Sequence, residues 1–143
     1  MNILRFLFGI PTVKINSLTE KLDMMTIKKI VYMSLGWCEK NLSRDGHRKP
    51  PYKISIIKQT GGERCYGQYE DETKTITIFY NNCRNVELII RTVLHEYTHY
   101  LQPIAGKYHK LLKKHGYKNH PQEVESRKME EYYLNVWKYI KSN

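Results

Sequence analysis

Three side chains in the stretch TVLHEYTHYLQ, Thr92 to Gln102, have the types and spacing to do chemistry: His95, Glu96 and His99. Residues four apart on an α-helix lie one above the other on the same face, so these two imidazoles can converge on a single metal ion. Glu96, one step round from His95, would flank the open position of that metal. A carboxylate there can take a proton from an activated water as it attacks a carbonyl, then pass the proton to the leaving group. The spacing H-E-x-x-H therefore points to one zinc ion and hydrolysis. Three fixed letters arise by chance in roughly a few per cent of histidine-bearing chains, so the elements around them have to support the reading.

The helix that carries the motif is marked by Val86, Ile89, Ile90, Val93, Leu94, Tyr97 and Leu101, a broad apolar stripe, with Asn82 or Asn85 as its cap and Pro103 as its end. His95 lies about 200° round from Val93, so the histidines project away from the densest part of the stripe, toward the edge where a cleft could form. Upstream, Ser17 and Glu20 form an S-x-x-E capping box. A core-packing helix is predicted from there, through Ile27, Ile30, Val31, Leu35, Cys38 and Leu42, ended by Gly46 and the Pro50-Pro51 pair.

Three β-rich segments follow: Lys53 to Lys58, Arg64 to Tyr69, and Thr73 to Tyr80 with Ile76, Ile78 and Tyr80 on one face. They predict two or three antiparallel strands with one buried face. Beyond the motif comes a Lys- and His-dense insert with Lys110, Lys113, Lys114 and Lys118, read as a short basic helix around Leu111 and Leu112 and then a loop at Gly116. Pro121 then starts a helix that runs through Glu123, Glu125, Met129, Val136, Trp137 and Ile140 to the C-terminus. The fold class expected is α+β, one domain over residues 1–143.

A catalytic zinc takes three protein ligands, so a further one is needed downstream. HEYTH followed by HPQEVESRK resembles the gluzincin branch of zinc metallopeptidases, particularly the compact one-domain forms found in phage and microbial genomes. That resemblance covers roughly Arg64 to Met129. It implies a zincin-like fold, Zn2+ as cofactor, peptide-bond hydrolysis with Glu96 as general base, and a glutamate on a later helix as third ligand with a small residue three positions on. Glu123 with Ser126 matches this spacing, whereas Glu125 would place Lys128 there. Arg127 departs from the family, because it stands where an aspartate would orient a histidine; a backbone carbonyl or Glu125 must then do so. The family also implies an oxyanion-stabilising side chain, for which Tyr108, Tyr117 and His120 are candidates. An edge strand, Arg64 to Tyr69 or Thr73 to Tyr80, would hold an extended peptide.

Two alternatives compete. The layout is also similar to that of SprT-like DNA-associated proteases, in which His109, His115 or His120 would supply the third ligand. The pattern H-E-x-x-H-x-x-G-x-x-H fails, since Gln102 and Ala105 occupy its Gly and His positions. A non-catalytic nucleic-acid- or protein-binding module on a zincin scaffold, with zinc structural or absent, is the different-class reading; the plainest one leaves His95 and His99 as ordinary helix histidines with no metal.

Composition supports a folded domain: 143 residues with 41% hydrophobic and 12% aromatic can bury one core. The 24 Lys plus Arg against 14 Asp plus Glu give a net charge of +10, a field that attracts nucleic acid, other polyanions or acidic protein substrates without choosing among them. Cys38, Cys65 and Cys83 are odd in number and include no C-x-x-C pair, which excludes a disulfide framework and fits a reducing interior. The apolar start MNILRFLFGIP is shorter than a membrane span and carries Arg5 inside it, so no signal peptide or membrane span is expected. A cytoplasmic monomer acting on a peptide or protein substrate is the form anticipated.

Overall fold

The computed structural model describes residues 13–42, 51–102 and 105–143, so the segments MNILRFLFGIP, Gly46 to Pro50 and Pro103 lie outside the described residues. Helix α1 spans Met24–Asn41, starting later than the capping box at Ser17 predicts. The reason is tertiary. Ser17 O accepts from Val86 N, Thr19 N donates to Arg84 O, and Leu18 bridges to Asn85, so this stretch is held against the start of the motif helix and makes only a 3-10 turn at Thr19–Lys21. Asp23 caps α1 in place of Ser17, its Oδ1 accepting from Thr26 N at 2.8 Å. The predicted face is the buried one: Ile27, Ile30, Val31, Leu35 and Cys38 all enter the core.

Strands β1 (Lys53–Ile57), β2 (Gly67–Glu70) and β3 (Thr75–Phe79) form a sheet in the order β1-β3-β2. The sheet is mixed, which corrects the antiparallel expectation: β2 pairs antiparallel with β3, but β1 runs parallel to it, with Ile54 opposite Ile76 and Ile56 opposite Ile78. The apolar character of β3 explains its place. Ile76, Thr77, Ile78 and Phe79 are all buried, so both of its faces need cover, and it takes the centre. Thr73 to Tyr80 is therefore not an edge. The edges are β1 and β2, and β2 is the one whose Gln68 and Glu70 are exposed beside the motif helix. The connection between β1 and β2 is pinned by amides: Gln59 N donates to Asn81 Oδ1 at 2.8 Å, and Asn82 Nδ2 donates to Cys65 O at 2.8 Å.

Helix α2, Val86–Leu101, carries the motif and is capped by Asn85, which accepts from Leu88 N at 3.0 Å. Val86, Ile89, Ile90, Val93 and Leu94 are fully buried between α1 and the sheet, each contributing about 1.5–3 kcal/mol. Helix α3 (Ala105–His115) ends at Gly116, whose φ of +74° suits glycine, and Pro121 opens α4 (Pro121–Met129). The single C-terminal helix predicted from Pro121 is in fact broken. A 3-10 turn at Glu130–Tyr132 separates α4 from α5 (Tyr133–Ser142), which packs Val136, Trp137 and Ile140 into the core. Among the described residues no helix is long and apolar enough to cross a membrane, and all three cysteines are free thiols.

Gly67 marks the closest approach of β2 to α2. A Cβ there would lie 2.7 Å from Thr77 O, 2.7 Å from Thr92 Cγ2 and 3.3 Å from Glu96 Cγ. The carbonyl is backbone and cannot swing aside. Gly67→Ala is therefore expected to force β2 off the helix, costing about 1–3 kcal/mol in chemical denaturation; an unchanged midpoint would show that the strand yields freely.

Candidate metal centre

The i, i+4 spacing on α2 sets His95 Nε2 3.2 Å from His99 Nε2, and both side chains are about one-seventh exposed. Helix α4 packs across α2 and brings Glu123 to them, Oε2 at 3.0 Å from His95 Nε2 and Oε1 at 3.0 Å from His99 Nε2. His95, His99 and Glu123 thus each offer a ligand atom within 4.8 Å of the others. The edges of this triangle are close to the ~3.3 Å expected between ligand atoms bound tetrahedrally at about 2.0–2.1 Å.

The outer nitrogens decide what the inner ones can do. His95 Nδ1 lies 2.8 Å from Glu130 Oε2, and a carboxylate only accepts, so the proton sits on Nδ1. His99 Nδ1 lies 2.7 Å from Gln102 Oε1. The Gln102 amide is fixed from its other end, because Nε2 donates to Gln122 O at 2.9 Å and to Glu125 Oε1 at 3.0 Å. His99 therefore also carries its proton on Nδ1. Both Nε2 lone pairs and the Glu123 carboxylate are left facing one another, an arrangement that only a cation resolves.

In the metal-free chain that cation is a proton. Burial pulls the His95 imidazolium down, but its hydrogen bonds to Glu123 and Glu130 and the nearby Glu96 outweigh this and raise its pKa to about 10. Glu123 shows the reverse balance: burial opposes its charge, yet hydrogen bonds from His95 and His99 hold it well below the usual carboxylate range. The remaining acceptor need of Glu123 is met by Tyr108, whose hydroxyl donates to Oε1 at 3.1 Å.

No known protein family, curated protein or solved structure matches this chain.

Glu96 is 7% exposed, beside the histidines on the wall of a cleft of about 350 Å³ that also takes in Gly67, Gln68, Tyr108, Tyr117 and Glu123. Burial raises its pKa to about 6, with His95 and His99 pulling the other way. A carboxylate poised near neutrality suits proton transfer in both directions.

The other candidates separate cleanly. Glu125 accepts from Gln102 Nε2 and so reaches His99 through that amide. His109 and His115 are exposed on α3; His109 borders the same cleft, but neither joins the cluster of three ligand atoms. His120 is fully buried: it caps α4, Nδ1 accepting from Gln122 N at 3.1 Å, and Nε2 donates to Tyr108 O at 2.9 Å while its ring stacks on Tyr108 at 3.9 Å. That uses both nitrogens, which leaves none for a metal or an oxyanion. Arg127 donates to Lys118 O.

Sequence reading missed Glu130 and Gln102 as the partners that orient the histidines. Gln102 is three residues after His99 and Glu130 is seven after Glu123, helical spacings that place each pair on one face. Glu130→Gln keeps the shape but weakens the acceptor on His95 Nδ1. It is expected to lower zinc affinity about 10- to 100-fold in chelator competition; an unchanged affinity would mean that packing alone orients the ring.

Proposed function

We propose that the protein is a zinc-dependent metallopeptidase of gluzincin type, with His95, His99 and Glu123 holding the metal and Glu96 as general base. The observation that carries this reading is the convergence of two Nε2 lone pairs and a carboxylate at 3.0–3.2 Å, with both Nδ1 protons already committed to Glu130 and Gln102.

When bound, zinc supplies a Lewis acid that polarises a carbonyl and lowers the pKa of water toward 7. The remaining work falls to the chain. Glu96 accepts a proton from the attacking water and delivers it to the departing amine nitrogen. Of the two edge strands, β2 is the one that lines the cleft, at Gly67, Gln68 and Tyr69, so an extended peptide can add to it by main-chain hydrogen bonds. Absence of a side chain at Gly67 lets β2 itself lie close against Glu96.

Among the tyrosines, Tyr108 is committed to Glu123 and stacked on His120, whereas Tyr117, which also interacts with Glu123, is 61% exposed at the mouth of the cleft. Partial burial, then the carboxylates of Glu123 and Glu96, keep the Tyr117 phenol protonated above its ordinary range. A protonated phenol facing the metal ligands is suited to donate to a developing oxyanion, and Tyr117 is assigned that role.

The test is direct. Purified protein should hold about one zinc per chain and cleave an unfolded protein such as reduced casein, with chelation stopping the cleavage and zinc restoring it. A chain with no zinc, or cleavage indifferent to chelator, would remove the proposal.

A further inference from the structure

The cleft continues past the metal ligands toward the N-terminal end of α2, where a second hollow of about 320 Å³ shares Gly67, His95, Glu96 and Tyr117 with the first. Its walls differ in kind. Tyr66, next to the edge strand, and Tyr117 opposite are 52% and 61% exposed, Leu88 adds an apolar patch, and two guanidinium groups, Arg91 and Arg127, border it.

The charges in this hollow are unevenly engaged. Arg91 is neutralised, its Nε donating to Glu87 Oε2 at 2.8 Å and its guanidinium lying 4.1 Å from the centre of the Tyr133 ring. Glu130 is spent on His95, and Glu96 is buried. Arg127 is different: it is exposed, and among the described residues no carboxylate pairs with it. Its one hydrogen bond, from Nη2 to Lys118 O, anchors the turn that carries Tyr117 and leaves other N–H donors of the fork unused.

We propose that this hollow is a substrate subsite for an acidic side chain, with Arg127 as the specificity-determining residue that binds the carboxylate. The inference rests on the metallopeptidase reading of the adjoining centre. A guanidinium fork fits a carboxylate in bidentate fashion, and the two tyrosine rings can flank the methylenes of a glutamate. Long-range attraction works in the same direction, since a chain of net charge +10 draws acidic segments toward itself.

The zinc-loaded protein would be given blocked peptides that differ at one position near the scissile bond, carrying Glu, Gln or Lys. The Glu peptide should have the highest kcat/KM, about 10- to 100-fold above Gln, the range of one charge-assisted contact. In Arg127→Gln, which keeps an amide donor for Lys118 O, kcat/KM should fall at least ten times more on the Glu peptide than on the Gln peptide. In Arg127→Glu the order should invert in favour of Lys. Equal use of Glu and Gln by the wild type, or a preference that survives in Arg127→Gln, would overturn the subsite.

Failure of the enzyme reading is separable. If the wild type cleaves none of the peptides, calorimetric binding of blocked Ala-Glu-Ala against Ala-Gln-Ala to the zinc-free wild-type protein and to Arg127→Gln still decides. A Glu-selective affinity lost in Arg127→Gln upholds the subsite without the catalysis, and equal affinities reject it.

Discussion

Glu96→Gln is expected to retain its zinc and lose activity, with kcat lower by about 10²–10⁴-fold, the usual contribution of a general base. The substitution is nearly isosteric at a side chain only 7% exposed, so it should not disturb His95 or His99 on the same helix. Stability moves the other way, and the sign is informative. Burial raises the folded-state pKa of Glu96 to about 6, above the ordinary carboxylate value, so folding in the metal-free state disfavours its charge. The cost of that charge is absent below the unfolded pKa near 4.5 and fully present above about 6. Metal-free Glu96→Gln should therefore match the wild type in thermal stability at pH 4 and exceed it at pH 8. Two results would refute the assignment: full activity in the variant, or activity lost together with the metal.

Proton release should accompany zinc binding. His95 is raised to about 10 in the metal-free protein by Glu123 and Glu130 against the pull of burial, so at pH 8 it holds a proton that a metal must displace. Calorimetry in two buffers of different ionisation enthalpy should report about one proton released per zinc. The apparent affinity should rise about tenfold per pH unit from 7 to 9 and level off above about 10. The same group makes the metal-free fold pH-dependent. A histidine raised on folding contributes stability that is fully present below its unfolded pKa of about 6.5 and lost as pH climbs through about 10, so the metal-free protein should weaken over that interval while the zinc-loaded protein changes less. A pH-independent zinc affinity between 7 and 9 would show that the Glu130–His95–Glu123 chain does not hold a proton.

These two experiments probe different parts of one design. As a general base Glu96 would need to be dry and near neutrality, and the apolar flanks of α2 together with the close approach of Gly67 bury it. His95 works only if its ring is locked, which falls to Glu130 in the tightened turn after α4. The proposed acidic subsite would add a third element: Arg127 stands where a histidine-orienting aspartate was expected, and Glu130 holds His95 Nδ1 instead, leaving the arginine to line the adjoining hollow.

Local spacing was sufficient to place His95, Glu96 and His99 on one helix, to mark its buried face, and to put Glu123 one turn into a helix opened by Pro121. These features depend on the 3.6-residue period and on which residues can end or begin a helix, and both are written in neighbouring letters. Packing settled the rest. Whether Ser17 starts a helix depends on backbone groups of Arg84 and Val86, far along the chain, that compete for the same donors and acceptors. The order of the strands depends on which one has two faces to bury, and β3 wins the centre because four of its residues are apolar enough, or small enough, to be covered on both sides.

The same division runs through the site. Glu123 and Glu125 both lie in the first turns of α4, but only the angle at which α4 crosses α2 sends one carboxylate to the two Nε2 atoms and the other to Gln102. Glu130, Gln102 and Arg127 acquire their roles from contacts between helices that no single helical period encodes.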